Sequence, residues 1–112
     1  MDTNALSRAE YIERILEAYR KTPGTTGFAH KADRIVANEL FERGVSILAI
    51  ENALCLAAAR RIIRPKDSRP LQTVRSLAYF LPVVDEVLDT AVGQEYFDHL
   101  RRKLGTAGTR TF

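Results

Sequence analysis

The sequence has almost no cysteine and no long apolar run, and each shortage excludes a class of protein. Cys55 is the only cysteine, so the chain cannot form an intramolecular disulfide, as is usual in a reducing compartment. No run of about 18 uncharged apolar residues is present to span a membrane. Residues 1–21 carry early acids and lack the apolar region of a secretory signal. We therefore expect a cytoplasmic protein with no membrane partner.

Residues that bind metals or act as nucleophiles are also scarce. The two histidines, His30 and His99, each share a helix face with one carboxylate. These partners are Asp33 and Glu95, and no further ligands complete a metal site around either pair. Cys55 has leucine and alanine neighbours, which predict a buried, unreactive thiol. We therefore expect neither a catalytic residue, a metal nor a cofactor, and the protein is predicted not to be an enzyme.

Apolar residues make up 46% of the chain, and their helical spacing predicts an all-α fold. A first helix is predicted over residues 8–21, where Ser7 and Glu10 have the spacing of a capping box. A second is predicted over residues 29–43, with Gly44 as a left-handed C-terminal cap. The predicted inner face of this second helix consists of Phe28, Ala32, Ile35, Val36, Leu40 and Phe41.

The third and fourth predicted helices contain most of the remaining apolar residues. Residues 47–63 are apolar on nearly every side, which predicts a central helix with neighbours around it. The fourth helix begins near Leu71 or at Ser76 and keeps one apolar face on both sides of Pro82. We expect one helix kinked at this proline, and the main alternative is a break at Leu81.

A short fifth helix is predicted near the C-terminus, because Tyr96, Phe97 and Leu100 fall on one face. The prediction is thus a compact bundle of four main helices plus this short one. It forms a single domain over residues 1–104, and residues 105–112 form a flexible tail.

Positive charge is concentrated in one segment, although the formal net charge is only +3. Residues 60–75 hold six cations and one acid, Asp67, and further cations follow near the C-terminus. A basic loop can follow a phosphate backbone without reading sequence. The alternative is a solvated loop after arginines that oppose the dipole of the third helix. The candidate nucleic-acid-binding residues are Arg60, Arg61, Arg64, Lys66, Arg69, Arg75, Arg101, Arg102 and Lys103.

Residues 32–57 also have the outline of a helix-turn-helix motif, with a Gly-Val-Ser turn between two helices. In such motifs the second helix presents polar side chains to base edges in the major groove. Here only Asn52 suits that role, and Glu51 would repel phosphate. The basic loop is therefore the better candidate for nucleic-acid binding.

Two segments, GVSILAIENALCLAAARR and LQTVRSLAYFLPVVDEVL, resemble the closing helices of DnaD-like domains from bacterial replication-initiation proteins. The matching residues, which span about half of the chain, are Gly44, Ser46, Ser76, Leu77 and Tyr79. The string that runs from Pro23 to Leu88 is also similar to short bacterial proteins that accompany mobile elements. Both resemblances imply a small helical accessory factor that works on or near DNA.

An interaction module without a nucleic-acid role is the alternative function. The third helix, together with Tyr79, Phe80, Tyr96 and Phe97, offers more apolar surface than a chain of this length is expected to bury. Exposed apolar surface of this kind often marks a protein interface. A homodimer formed through the first or the last helix is its simplest version. The sequence leaves the choice among DNA, RNA and a protein partner open.

Overall fold

The chain folds as an all-α bundle in a computed structural model that describes residues 6–89, 96 and 98–104. Its elements in chain order are α1 (Arg8–Lys21), α2 (Lys31–Glu42), α3 (Ile47–Ile62), a 3₁₀ segment (Leu77–Phe80) and α4 (Leu81–Asp89). Residues 98–104 are helical as well. Among the described residues no strand forms, and extended pairing is limited to one parallel bridge between Thr25 and Val74. The predicted fold class is confirmed.

α1 begins and ends at the predicted residues. The Ser7 hydroxyl accepts a hydrogen bond from the Glu10 backbone N–H at 3.1 Å, and the Glu10 carboxylate accepts one from the Ser7 N–H at 3.2 Å. The predicted capping box therefore forms, and it satisfies two donors that a helix start leaves free. The same hydrogen bonds lower the pKa of Glu10. The inner face of α1 is filled by Tyr11, Ile12, Ile15, Leu16 and Tyr19.

α3 lies at the centre of the bundle, as its apolar surroundings predict. It packs against α1, α4 and the 3₁₀ segment. Ser46 caps its start by accepting a hydrogen bond from the Ala49 N–H at 3.1 Å. Alanines along α3 allow close approach of its neighbours, while Ile50 is completely buried and contributes roughly 1.5–3 kcal/mol to stability.

The inner face of α2 differs from the predicted one. Three residues predicted to be buried are exposed, namely Phe28, Ala32 and Ile35, with 68% of Phe28 and 54% of Ile35 accessible. The residues that turn fully inward are Asp33, Ala37 and Leu40. Val36 and Phe41 are half-buried against the core. The prediction is therefore correct for the end of this helix and wrong for its beginning.

Asp33 accounts for this rotation of α2. Its side chain is 1% exposed, and its two carboxylate oxygens accept hydrogen bonds from backbone N–H groups. One donor is Leu77, at 2.9 Å, and the other is His30, at 2.8 Å. A buried carboxylate is tolerated when such donors satisfy it. Asp33 thus joins the start of α2 to the start of the 3₁₀ segment, an arrangement that apolar spacing cannot indicate.

Pro82 lies in the first turn of α4. The structure uses the later of the two predicted helix starts, because Ser76 directly precedes the 3₁₀ segment. Winding changes from 3₁₀ to α at Leu81, which is the alternative break point. A first-turn residue needs no intrahelical acceptor for its N–H, so proline is tolerated there. The apolar face continues across the change, since Phe80 and Val84 are both buried.

The C-terminal helical residues pack on the second half of α3. Leu100 is buried against Cys55 and Ala59. Cys55 is buried as predicted, and burial raises the pKa of its thiol. Phe97, Glu95 and the predicted tail lie outside the described residues. None of the described helices is both long and apolar enough to cross a membrane.

Candidate nucleic-acid interface

The linker between α3 and the 3₁₀ segment, residues 63–76, carries four of the nine candidate cations. Its far end is held to the α1–α2 loop by the Thr26 N–H, which donates to the Val74 carbonyl at 3.1 Å. The Val74 N–H in turn donates to the Gly24 carbonyl at 2.8 Å. A turn closed by the Ser68 N–H on the Pro65 carbonyl, at 3.0 Å, shapes the middle. The linker is therefore a loop fixed at both ends, with its central residues largely exposed.

Arg61 connects the end of α3 to this linker. One of its terminal nitrogens donates to the Gln72 carbonyl at 2.6 Å, and the other donates to the Tyr79 hydroxyl at 3.2 Å. Its guanidinium carbon also lies 5.7 Å from the centre of the Tyr79 ring, a cation–π distance. Arg61 was predicted to contact phosphate, and in the structure it also joins the linker to the tyrosine.

Gly24 is required beside Arg61. Its φ of +91° lies in the left-handed region, where side chains are strained. A Cβ at this position would also lie 2.9 Å from the Nε of Arg61. The glycine therefore allows the α1–α2 loop to approach the guanidinium closely.

Arg60 is paired with an acid on α4. Both of its terminal nitrogens donate to the Glu86 carboxylate, one of them at 2.8 Å. This pairing lowers the pKa of Glu86. Asp85, next to it, accepts a hydrogen bond from Arg43 at 2.9 Å. These two carboxylates of α4 therefore neutralise arginines of neighbouring elements.

Four other cations of the linker make no such contacts. Within the described part of the chain, no ion pair or side-chain hydrogen bond engages Arg64, Lys66, Arg69 or Arg75. Lys66, Arg69 and Arg75 are exposed and Arg64 is half-buried. Ion pairs are frequent elsewhere on the described surface, so this linker is a local concentration of uncompensated positive charge.

The C-terminal cations lie on an adjoining surface. A cleft of about 340 Å³ is bordered by Arg101, Leu104 and Pro23. A neighbouring cleft of about 410 Å³ is bordered by Pro23, Arg61 and Arg64. Because Pro23 borders both clefts, the two predicted basic clusters face one flank of the bundle. Arg102 and Lys103, the two residues after Arg101, are exposed.

Asn52 does not read bases in this structure. Only 6% of it is exposed, and its side-chain oxygen accepts a hydrogen bond from Arg101 at 2.6 Å. Arg101 also donates to Asp98 at 3.3 Å. In the first turn of α3 the exposed side chain is Leu48, with 49% of the residue accessible. The two helices and the turn of the outline are present, but the side chain that suits base readout is buried in this structure.

Tyr79 was not predicted to belong to the nucleic-acid interface, and the structure brings it to the basic linker. It borders a third cleft, of about 300 Å³, with Arg61, Arg64 and Leu71. No sequence signal joins these residues, because they come from three separate segments. The interface predicted for a protein partner forms only in part. Tyr79 and Tyr96 are half-exposed, but Phe80 is 1% exposed.

The chain matches no protein-family model, no curated protein and no solved structure. The resemblance to DnaD-like domains therefore stays a prediction. Among the described residues no group of three or more histidine, cysteine, aspartate or glutamate side chains could hold a metal. The case for a function rests on the charge and shape of the flank that the linker forms.

Proposed function

We propose that this chain is a non-enzymatic, DNA-associated accessory protein that binds the nucleic-acid backbone through its basic linker. The observation that carries the proposal is the contrast in charge pairing on the described surface. Four linker cations have no acidic partner, whereas the arginines of α1, α2 and α3 are repeatedly paired with carboxylates. Unpaired cations on one loop are what a string of phosphates attracts.

The contacts of such a linker supply affinity without sequence readout. Each phosphate that a cation neutralises releases counterions, so binding weakens as salt rises. With four phosphate contacts to a duplex, the logarithm of the affinity would fall with a slope of roughly −3.6 against the logarithm of salt. The C-terminal cations on the same flank extend the surface. The resemblance to replication and mobile-element proteins supports a role as an accessory factor.

The fixed ends of the linker support this function as well. A loop that is already held by the Thr26–Val74 hydrogen bond and by Arg61 loses little backbone freedom when it binds. Arg60 contributes less than predicted, because Glu86 occupies it. The cations that we expect to contact phosphate directly are Arg64, Lys66, Arg69 and Arg75, with Arg102 and Lys103 at the edge.

A pair of charge-matched double variants tests this function. In the first, Lys66→Gln is combined with Arg69→Gln. In the control, Arg14→Gln is combined with Lys31→Gln, because Arg14 and Lys31 are exposed helical cations that also make no ion pair in the described structure. Both variants lower the net charge by the same amount. Fluorescence polarisation of a labelled duplex is measured against protein over a range of salt concentrations.

The linker variant is expected to weaken binding and to lessen the salt slope by about 2, since each lost phosphate contact removes about 1. The control is expected to keep the wild-type slope. Equal losses in the two variants would mean that net charge alone attracts the duplex, and the linker would then not be the binding surface. Circular dichroism confirms that both variants are folded.

A further inference from the structure

The cleft of about 300 Å³ beside the linker combines features that phosphate binding alone does not require. One wall is the Tyr79 ring, and Leu71 of the linker provides a second apolar side chain. Arg64 borders the same cleft and makes no ion pair in the described structure. An aromatic ring, an apolar side chain and an unpaired cation therefore meet at one opening.

The Tyr79 ring is held in place although 47% of the residue is exposed. Its hydroxyl accepts a hydrogen bond from Arg61, and the guanidinium of Arg61 lies against the ring. On another side it meets Phe80, with ring centres 5.2 Å apart and planes at 82°. A half-exposed ring that is already immobilised can accept a flat partner without further ordering.

We propose that this cleft takes an unpaired nucleobase, so that the preferred ligand is single-stranded nucleic acid. The proposal rests on the proposed function and names its substrate class. Bases of a single strand are free to stack on aromatic side chains, and a cationic groove beside them follows the phosphates. A base seated against Tyr79 would bring its adjoining phosphate to Arg64, from which the strand would follow Lys66 and Arg69 along the linker.

A duplex cannot use the cleft in this way. Its bases are paired and stacked inside the helix, so only its phosphates reach the protein. Stacking of one base on an aromatic side chain strengthens binding by roughly 5- to 140-fold. We therefore expect the chain to bind a single strand more tightly than a duplex of equal length, by a factor in that range.

The test compares Tyr79→Leu with Tyr79→Phe in the full chain. The probes are a labelled oligothymidylate of about twelve nucleotides and a duplex of the same length, each measured at two salt concentrations. Tyr79→Leu is expected to lose roughly 5- to 140-fold in affinity for the single strand and to leave duplex affinity and the salt slope unchanged. Tyr79→Phe keeps the ring and is expected to stay within about threefold of the wild type.

The outcomes separate this proposal from the proposed function. If Tyr79→Leu leaves single-strand binding intact while Lys66→Gln with Arg69→Gln still weakens it, base stacking is wrong and backbone binding stands. If the linker double variant weakens neither probe, the proposed function itself is wrong. An equal loss on both probes in Tyr79→Leu also overturns the base site.

A second measurement uses the unaltered protein and so does not depend on the folding of any variant. An oligothymidylate with one 5-iodouracil is irradiated in complex with the chain, and the crosslinked peptide is identified by mass spectrometry. A crosslink at Tyr79 with the single strand, absent with the duplex, supports the proposal. Crosslinks confined to other residues overturn it.

Discussion

Two buried tyrosines of α1 differ by a single hydrogen bond, which makes their phenylalanine variants a matched pair. The Tyr11 hydroxyl donates to the Val45 carbonyl at 2.7 Å. The Tyr19 hydroxyl has no hydrogen-bond partner within the described part of the chain. Both residues are at most 1% exposed, and each ring meets a second aromatic edge to face, Phe41 or Phe80. Replacement by phenylalanine keeps this packing and removes only the hydroxyl.

The expected changes have opposite directions. Tyr11→Phe leaves the Val45 carbonyl without its donor and should lower the free energy of unfolding by about 1–2 kcal/mol. Tyr19→Phe removes a desolvated hydroxyl that gains nothing in return, so stability should stay equal or rise by about 1 kcal/mol. Between the two variants this corresponds to a difference of about 4–12 °C in Tm for a domain of this size.

Urea unfolding followed by far-ultraviolet circular dichroism measures both free energies. If the slope of the unfolding free energy against urea concentration is unchanged, the variants expose the same surface on unfolding as the wild type does. If Tyr19→Phe lost as much stability as Tyr11→Phe, the Tyr19 hydroxyl would have to be hydrogen-bonded, and the reasoning from unpaired burial would be refuted.

The same pair makes a prediction at alkaline pH. Burial raises the pKa of Tyr11 from 10.0 to about 12, and it also raises the pKa of Tyr19. The folded state therefore favours the protonated phenols, so their stabilisation is complete below pH 10 and is lost as pH rises towards 12. For Tyr11 the loss is about 3 kcal/mol. Urea unfolding at pH 9 and pH 11 should show a smaller alkaline loss in Tyr11→Phe than in the wild type, and an equal loss would contradict the assignment.

Three further substitutions test separate features of the fold and the interface. Asp33→Ala leaves two backbone donors without their acceptor, so it should lower the free energy of unfolding, measured with urea, by about 3 kcal/mol. A loss below about 1 kcal/mol would contradict the bridging role of Asp33. Gly24→Ala should lower the free energy of unfolding by about 1–2 kcal/mol. Because the new Cβ meets the Arg61 side chain, the NMR signals of its guanidinium should also shift, and unchanged signals would contradict the contact. Glu86→Gln removes the negative charge that Arg60 pairs with. It should steepen the salt slope of duplex binding by up to about 0.9, whereas an unchanged slope would place Arg60 away from the nucleic acid.

Features that depend on neighbours in the chain were predicted well. The capping box joins Ser7 to Glu10, only three residues later, and both residues adopt the predicted contacts. Gly44 ends the second helix with a φ of +71°, as its position predicts. The continuous apolar character of α3 is enough to place it centrally, because no other position buries all of its faces.

Features that depend on distant residues could not be predicted in the same way. Asp33 turns inward because of the Leu77 N–H, which lies 44 residues away in the chain. Asn52 is withdrawn from the surface by Arg101, 49 residues later. The sequence shows where the cations are concentrated, but only the fold shows which of them have acidic partners.

Pro82 has a consequence for the charge that the binding flank presents. An α-helix that started at Leu77 would need the residue 82 N–H as a donor, and proline has none, so this segment winds as a 3₁₀ helix. A 3₁₀ residue advances by about 120° around the helix axis and an α-helical residue by about 100°, so four residues rotate the following side chains about that axis by about 80°. In the alternative winding Glu86 would lie at a different position around the helix axis from the one that meets Arg60. A proline without a polar side chain thus influences which arginine is neutralised, and a substitution at this exposed joint would change the protein's electrostatic field without altering a single charged residue.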